Sequence, residues 1–272
     1  MTSEILRRHQ VKVFGKGTQA LLFAHGLACD QKAWRLLTPA FESEFQVILF
    51  DYIGSGQTDT SWYDPGKYSS LKGYAADILA ICADLGLRDV IFVGHSVSSM
   101  IGLLAAIARP DLFFRLIMIG PSPRYINDQH YFGGFEKEEI AELLSGMEAN
   151  YSQWADFFAP LAMANPDRPE LNRELKNSFC NADPAITCDF ARVTFQGDNR
   201  QDLANLHTPS LILQTSEDIV APEQVGNYLH EHMPDSTFYK MKATGHFPQL
   251  SAPEETIALM KKYLKENDHK IK

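Results

Sequence analysis

Val90-Ile91-Phe92-Val93-Gly94-His95-Ser96-Val97-Ser98-Ser99-Met100-Ile101-Gly102 is the stretch on which the reading of this 272-residue chain turns. Four apolar residues in a row, Val90 to Val93, predict a strand buried on both faces. Met100, Ile101, Leu103, Leu104 and Ile107 then fall at helical spacing, and Pro110 ends the run. Between strand and helix stand Gly94, His95, Ser96, Val97 and Ser98. A serine on a sharp strand-to-helix turn is the setting of a nucleophile elbow. The turn lifts the serine oxygen above the carboxyl edge of the sheet and aims the first N–H groups of the helix at the same point. The pattern is G-x-S-x-G with Ser98 in place of the last glycine. Serine is small enough for a close crossing of helix and strand, so the stretch reads as a variant of the motif.

Outward from the elbow, buried strands alternate with helices. Val11 and Val13 predict an edge strand ahead of the Gly15-Lys16-Gly17 turn. Ala20 to Ala24, Val47 to Phe50 and Leu116 to Ile119 predict buried strands. Lys32 to Phe41 and Leu71 to Leu85 read as helices between them. Such alternation implies a parallel sheet covered on both faces. From Tyr125 to about Asn205 the strand signal stops. Phe135 to Met147, Tyr151 to Met163, Pro169 to Phe179 and Asp183 to Phe195 read as four helices, an insertion above the carboxyl edges. Alternation resumes with a strand at Ser210 to Gln214, a helix at Pro222 to Glu231, a strand at Thr237 to Met241 and a closing helix at Pro253 to Leu264. The polar tail from Lys265 reads as frayed. The organisation expected is a core in two parts, 1–124 and 206–272, with a helical cap at 125–205.

Three strand-end loops carry the chemistry. Ser96 would attack a carbonyl, because a neutral imidazole can remove its proton. His246 would be that base, and Asp218 would fix its tautomer and stabilise its charged form. Glu217 stands beside Asp218 as the alternative orienter. The chain order Ser, Asp, His is a known order for this triad. The strand ending in His25-Gly26 places the Leu27 N–H as one oxyanion donor, and the Val97 N–H is the other. His25 itself reads as a structural hydrogen bonder. Asp51 to Gly56 lacks both the spacing and the Lys-Ser/Thr ending of a phosphate loop. His230 and His232 lie two apart on a helix, on different faces, and make a poor metal pair.

The totals narrow the class. A net charge of −9 argues against nucleic acid or an anionic membrane surface as partner. No stretch approaches the roughly 20 apolar residues of a membrane span, and the first residues lack the apolar core of a signal peptide. The four cysteines are scattered, so reduced thiols and a cytoplasmic protein are the expectation.

Several stretches carry a family resemblance. They are His25-Gly26-Leu27-Ala28-Cys29-Asp30-Gln31, Phe50-Asp51-Tyr52-Ile53-Gly54-Ser55-Gly56, Gly94-His95-Ser96-Val97-Ser98, Gly120-Pro121-Ser122-Pro123-Arg124-Tyr125, Gly133-Gly134-Phe135-Glu136 and Gly245-His246-Phe247-Pro248-Gln249-Leu250-Ser251. On these the chain resembles the RsbQ-type α/β-hydrolases, bacterial regulators of the general stress sigma factor. It is nearly as similar to the plant strigolactone and karrikin receptor hydrolases. The resemblance implies an α/β-hydrolase fold with a mostly parallel eight-stranded sheet, helices on both faces and a four-helix V-shaped cap. It implies a slow serine hydrolase acting on a small apolar ester or lactone, with no cofactor and no metal. By matched position, Leu27, Phe135, Phe158, Phe195 and Val220 would line the ligand pocket. A phosphatase carrying a PAS sensor domain would be the protein partner. The plant receptors have an aromatic residue where this chain has Leu27.

Overall fold

The computed structural model describes residues 3–267. Its sheet has seven strands among the described residues: β1 (Lys12–Phe14), β2 (Ala20–Ala24), β3 (Gln46–Leu49), β4 (Val90–His95), β5 (Phe113–Ile119), β6 (Ser210–Gln214) and β7 (Ser236–Lys240). Their order is β1-β3-β2-β4-β5-β6-β7. Only β1 runs antiparallel, on the edge beside β3, and the other neighbours are parallel. The eight-strand expectation is therefore corrected to seven. Each of the seven lies on a segment that the sequence pattern marks as a strand.

The helices are α1 (Glu4–Arg8), α2 (Leu71–Asp84), α3 (Val97–Ala108), α4 (Lys137–Ala149), α5 (Tyr151–Met163), α6 (Pro169–Asn181), α7 (Pro184–Phe195), α8 (Glu223–His232), α9 (Pro248–Ser251) and α10 (Pro253–Asn267). The helix expected over Lys32 to Phe41 is instead two 3-10 turns, Gln31–Trp34 and Thr38–Ala40. Pro39 stands inside the second, where a regular helix would need its N–H. Trp34, Leu37 and Phe41 nevertheless share one fully buried side, as the spacing requires. The short α1 carries no strong apolar pattern and escaped the sequence reading. Helix α10 runs on to Asn267, so the expected fraying of Lys265 and Glu266 gives way to helix. The rest of that expectation, residues 268–272, lies outside the described residues.

One apolar cluster fills the face of the sheet under α2 and α3, with Leu22, Ile48, Phe92, Ile101 and Leu116 among its members. A second fills the opposite face around Leu21, Phe23, Trp34, Val93 and Leu213. Both faces of β2 and β4 are thus covered, which is why those strands read as unbroken apolar runs. A third cluster lies beyond the carboxyl ends. It joins residues of α4 to α7 with Ala28, Tyr125, Val220 and Phe247 from the strand-end loops and Leu250 from α9. No helix among the described residues is long and apolar enough to cross a membrane.

Candidate functional site

The elbow is built by close packing. A Cβ on Gly94 would stand 2.7 Å from the backbone of Ser98, and one on Gly102 would stand 2.2 Å from the Phe92 ring. Helix α3 can cross β4 this closely only because those side chains are absent. Ser96 takes φ 57°, ψ −125°, a conformation that costs a non-glycine residue about 1–3 kcal/mol and persists only where neighbours impose it. Its N–H donates to Ile119 O (2.8 Å) and its carbonyl accepts from Ser99 N (2.9 Å), which supplies that constraint. Ser96 is 6% exposed.

Around the serine oxygen the three residues named from chain order come together. His246 Nε2 lies 2.8 Å from Ser96 Oγ, and His246 Nδ1 lies 2.7 Å from Asp218 Oδ2. The other carboxylate oxygen of Asp218 accepts from the N–H groups of Val220 (2.8 Å) and Ala221 (3.0 Å). With its acceptor positions taken by these bonds, Asp218 holds the imidazole with the proton on Nδ1, leaving Nε2 to accept from the serine hydroxyl. Glu217, the alternative orienter, has an exposed side chain; its carbonyl accepts from Gly245 N (2.7 Å) and so braces the His246 loop from below.

The two candidate oxyanion donors each follow directly on a residue at this point, Val97 on Ser96 and Leu27 on Gly26. Val97 opens α3, and no side chain among the described residues caps that end. Gly26 lies against the serine: a Cβ there would be 3.4 Å from Ser96 Cβ and 2.6 Å from His95 Nδ1. The Leu27 N–H follows directly. Ala28, next in line, is another non-glycine residue at positive φ (58°), so the loop is bent sharply at this point. His25 bears out a structural role: its Nε2 accepts from Tyr52 N (3.3 Å), and its Nδ1 donates to Gly26 O (2.9 Å). His95 points away from the serine and donates from Nε2 to His246 O (2.7 Å). Burial and then the neighbouring His246 hold the His95 imidazole well below the usual histidine range, so it stays a neutral prop.

Each named pocket residue sits in or against the third apolar cluster. Val220, Phe158 and Phe195 are buried in it, while Leu27 and Phe135 pack on it half-buried. Phe158 stacks on Trp154 with ring centroids 5.4 Å apart, and Phe195 meets Tyr125 edge to face at 5.0 Å. A cavity of about 670 Å³ opens between α4 and α5; its walls include Phe135, Trp154, Phe157, Phe158, Leu161 and Ile219, with Glu139 and Glu142 at its side.

Three features escaped the sequence reading. Ser98 is more than a small residue: it donates to His25 O (2.5 Å) and shares a hydrogen bond with Tyr52 Oη (2.9 Å). Tyr125 is 2% exposed, with its hydroxyl buried beside the candidate triad. Burial pushes that phenol up to about 12, with Ser96 opposing and Asp218 adding to the rise. Cys29 lies in the same cluster, and burial pushes its thiol up to about 12, which removes it as a rival nucleophile near neutral pH. Ser98 and Tyr125 both stand within motifs visible in the sequence, but their partners lie in other segments.

The doubly wound sheet places the chain in a class of fold, that of the alpha/beta hydrolases. The alpha/beta hydrolase fold family matches residues 19–253, and the chain belongs to that family. Strigolactone esterase D14 of Arabidopsis thaliana is 41% identical over 261 residues, covering 96% of this chain and 97% of the relative. Karrikin insensitive 2 receptor CA of Petunia hybrida is 38% identical, covering 94% and 95%. A solved hydrolase from Oleispira antarctica superposes with a TM-score of 0.94 at 38% identity, covering 97% of each chain.

Proposed function

We propose that the protein is a slow serine hydrolase of small apolar esters or lactones, with Ser96, His246 and Asp218 as its triad. The observation that carries this reading is the hydrogen-bonded line from Ser96 Oγ through His246 to Asp218, at 2.8 and 2.7 Å. Ser96 Oγ attacks the ester carbonyl as His246 Nε2 takes its proton. The Leu27 and Val97 N–H groups hold the resulting oxyanion, each worth about 2.7–4 kcal/mol of barrier by comparison with measured donors. Collapse breaks the acyl–oxygen bond, and His246 returns the proton to the leaving alkoxide. Water, deprotonated by His246, then cleaves the acyl-serine.

The ligand class follows from the surroundings of the serine. Leu27, Phe135, Phe158, Phe195 and Val220 are apolar, and relatives named for strigolactone and karrikin support a lactone of butenolide type. In this reading residues 125–205 form a V-shaped cap of four helices inserted between core segments 1–124 and 206–272. The physiological role we assign is cytoplasmic stress signalling of the RsbQ kind, with a PAS-domain phosphatase as partner. The motifs shared with that group support it. A ligand-sensing role with incidental turnover is favoured by relatives that carry the name receptor.

Stopped-flow hydrolysis of an activated butenolide ester by wild type and Ser96→Ala tests the chemistry. A burst of about one equivalent and slow turnover are expected from wild type. Ser96→Ala is expected to lose roughly 10⁴- to 10⁶-fold; retained hydrolysis in that variant refutes the triad. Fast linear turnover in wild type would point to ordinary ester metabolism instead of sensing. Co-purification with the phosphatase in the presence and absence of ligand tests the partner.

A further inference from the structure

A helix leaves its last carbonyls without intrahelical partners. At the end of α5 those partners come from the loop that carries His246. The main-chain N–H of His246 donates to Ala162 O (2.7 Å). Thr244 Oγ1 donates to Ala164 O (3.3 Å), where the chain leaves the helix with φ 49°. Asn165 closes the joint from the helical side. Its Nδ2 donates to Met163 O (2.7 Å) and reaches Thr244 O (3.4 Å), while its Oδ1 accepts from Arg168 Nη2 (2.5 Å). The same Arg168 nitrogen donates to Ser251 O (2.7 Å), on the far side of the histidine loop. The joint has no slack, since a Cβ on Gly245 would stand 2.0 Å from Met163 O.

We propose that Asn165 is a positioning residue for the base: it sets the seat of the His246 loop on the end of α5, and thereby the reach of Nε2 to Ser96. The proposal rests on the serine-hydrolase reading. One amide satisfies a carbonyl of the helix and a carbonyl of the loop together, while Arg168 fixes its orientation. Losing it leaves the bonds from His246 N to Ala162 O and from Thr244 Oγ1 to Ala164 O to hold the seat without the amide that sets it, and displacements of about 1 Å in a reacting constellation can cost as much as 10²-fold in rate. The joint also gives α5 a second task. The helix presents Trp154 and Phe158 to the apolar cluster, so a ligand that shifts it shifts His246 as well.

Asn165→Ala, Asn165→Asp and Ser96→Ala in the full chain test this with three readouts. These are steady-state hydrolysis of 4-nitrophenyl acetate, the rate of covalent labelling by a fluorophosphonate, and the melting temperature. Asn165→Ala is expected to lower kcat about tenfold with KM within about twofold, and to slow labelling in parallel, in protein that remains folded. Asn165→Asp keeps the acceptor for Arg168 and loses both donors, so it falls with the alanine variant. Wild-type kcat and labelling in Asn165→Ala, with Ser96→Ala inactive, overturn the positioning role and leave the serine chemistry standing. A kcat loss no larger than the lost folded fraction also overturns it. Hydrolysis retained in Ser96→Ala removes the reading on which the proposal depends.

Discussion

The carboxyl edge of the sheet and the α4–α5 face are held by different forces. At the sheet edge the histidine and its carboxylate are pinned by directional bonds: Asp218 makes three hydrogen bonds, and His246 is bonded through its ring, its N–H and its carbonyl. On the helical face, Trp154, Phe158 and Phe179 hold one another by ring contact, while Phe157 (69%) and Leu161 (42%) remain exposed. Directional bonds fix a geometry to fractions of an ångström, as proton transfer demands. Apolar contact tolerates repacking, which suits a surface that must accept a ligand. Mutations at the edge should therefore cost rate, and mutations on the helical face should cost stability or binding.

Asp218→Asn carries the largest expected effect. The variant keeps nearly the same shape but donates where the carboxylate accepted, and the imidazole is pushed to the wrong tautomer. By analogy with the same change in another triad, kcat should fall about 10⁴-fold. Thermal melting distinguishes this from unfolding, and a loss under tenfold would mean that the edge is less exacting than its bonds imply. Phe158→Ala is the counterpart. It removes a stacked ring from the third cluster and should destabilise by about 3 kcal/mol. Hydrolysis of a small acetate ester should stay within about threefold of wild type, because the bonds at the end of α5 survive. A larger kcat loss in folded protein would show that the two regions are not separable in this way.

The same contrast decides what the sequence disclosed. Ser96, Asp218 and His246 were legible because each lies in the loop that follows a strand at one edge of the sheet, so local pattern and chain order suffice. The seven strands were legible for the same reason, whereas an eighth came only by resemblance. The broken helix at residues 31–40 shows the limit of spacing: Trp34, Leu37 and Phe41 keep the apolar side while Pro39 denies the backbone. Asn165, Ser98 and Tyr125 were beyond reach. Asn165 meets Thr244 across 79 positions and Ser98 meets Tyr52 across 46, and no local rule sets such pairs. Phe135, Phe158 and Phe195 could be named by matched position, but among the many aromatics of residues 125–205 composition does not separate ring packing from ligand contact.

Ser98→Ala tests the edge on the side away from the histidine. The serine hydroxyl donates to His25 O, so the bond from Tyr52 must run from the phenol to Ser98 Oγ. Alanine fits the space and leaves both partners buried and unpaired. The expected cost is about 1–3 kcal/mol in chemical denaturation, and Tyr52→Phe in the same background should recover part of it. Because His25 begins the loop that presents the Leu27 N–H, a reduction of kcat by about threefold is expected as well. An unchanged denaturation midpoint would mean that glycine-like size alone matters at this position, which is the simpler reading of the elbow.

The smallest expected effect is on stability, and it lies at Phe157. Its ring is mostly exposed and borders the cavity between α4 and α5. Phe157→Ser removes little buried area, so the change in stability should stay within about 0.5 kcal/mol. Hydrolysis of a small acetate ester should be unaffected, since Phe157 touches none of the pinned groups. Affinity for an apolar lactone, measured by calorimetry with Ser96→Ala protein, is where a difference should appear. Loss of one partly exposed aromatic contact predicts weakening on the order of 1 kcal/mol. Unaltered affinity would confine ligand contact to the buried rings; a large drop in melting temperature would instead assign Phe157 to the packing of the helices.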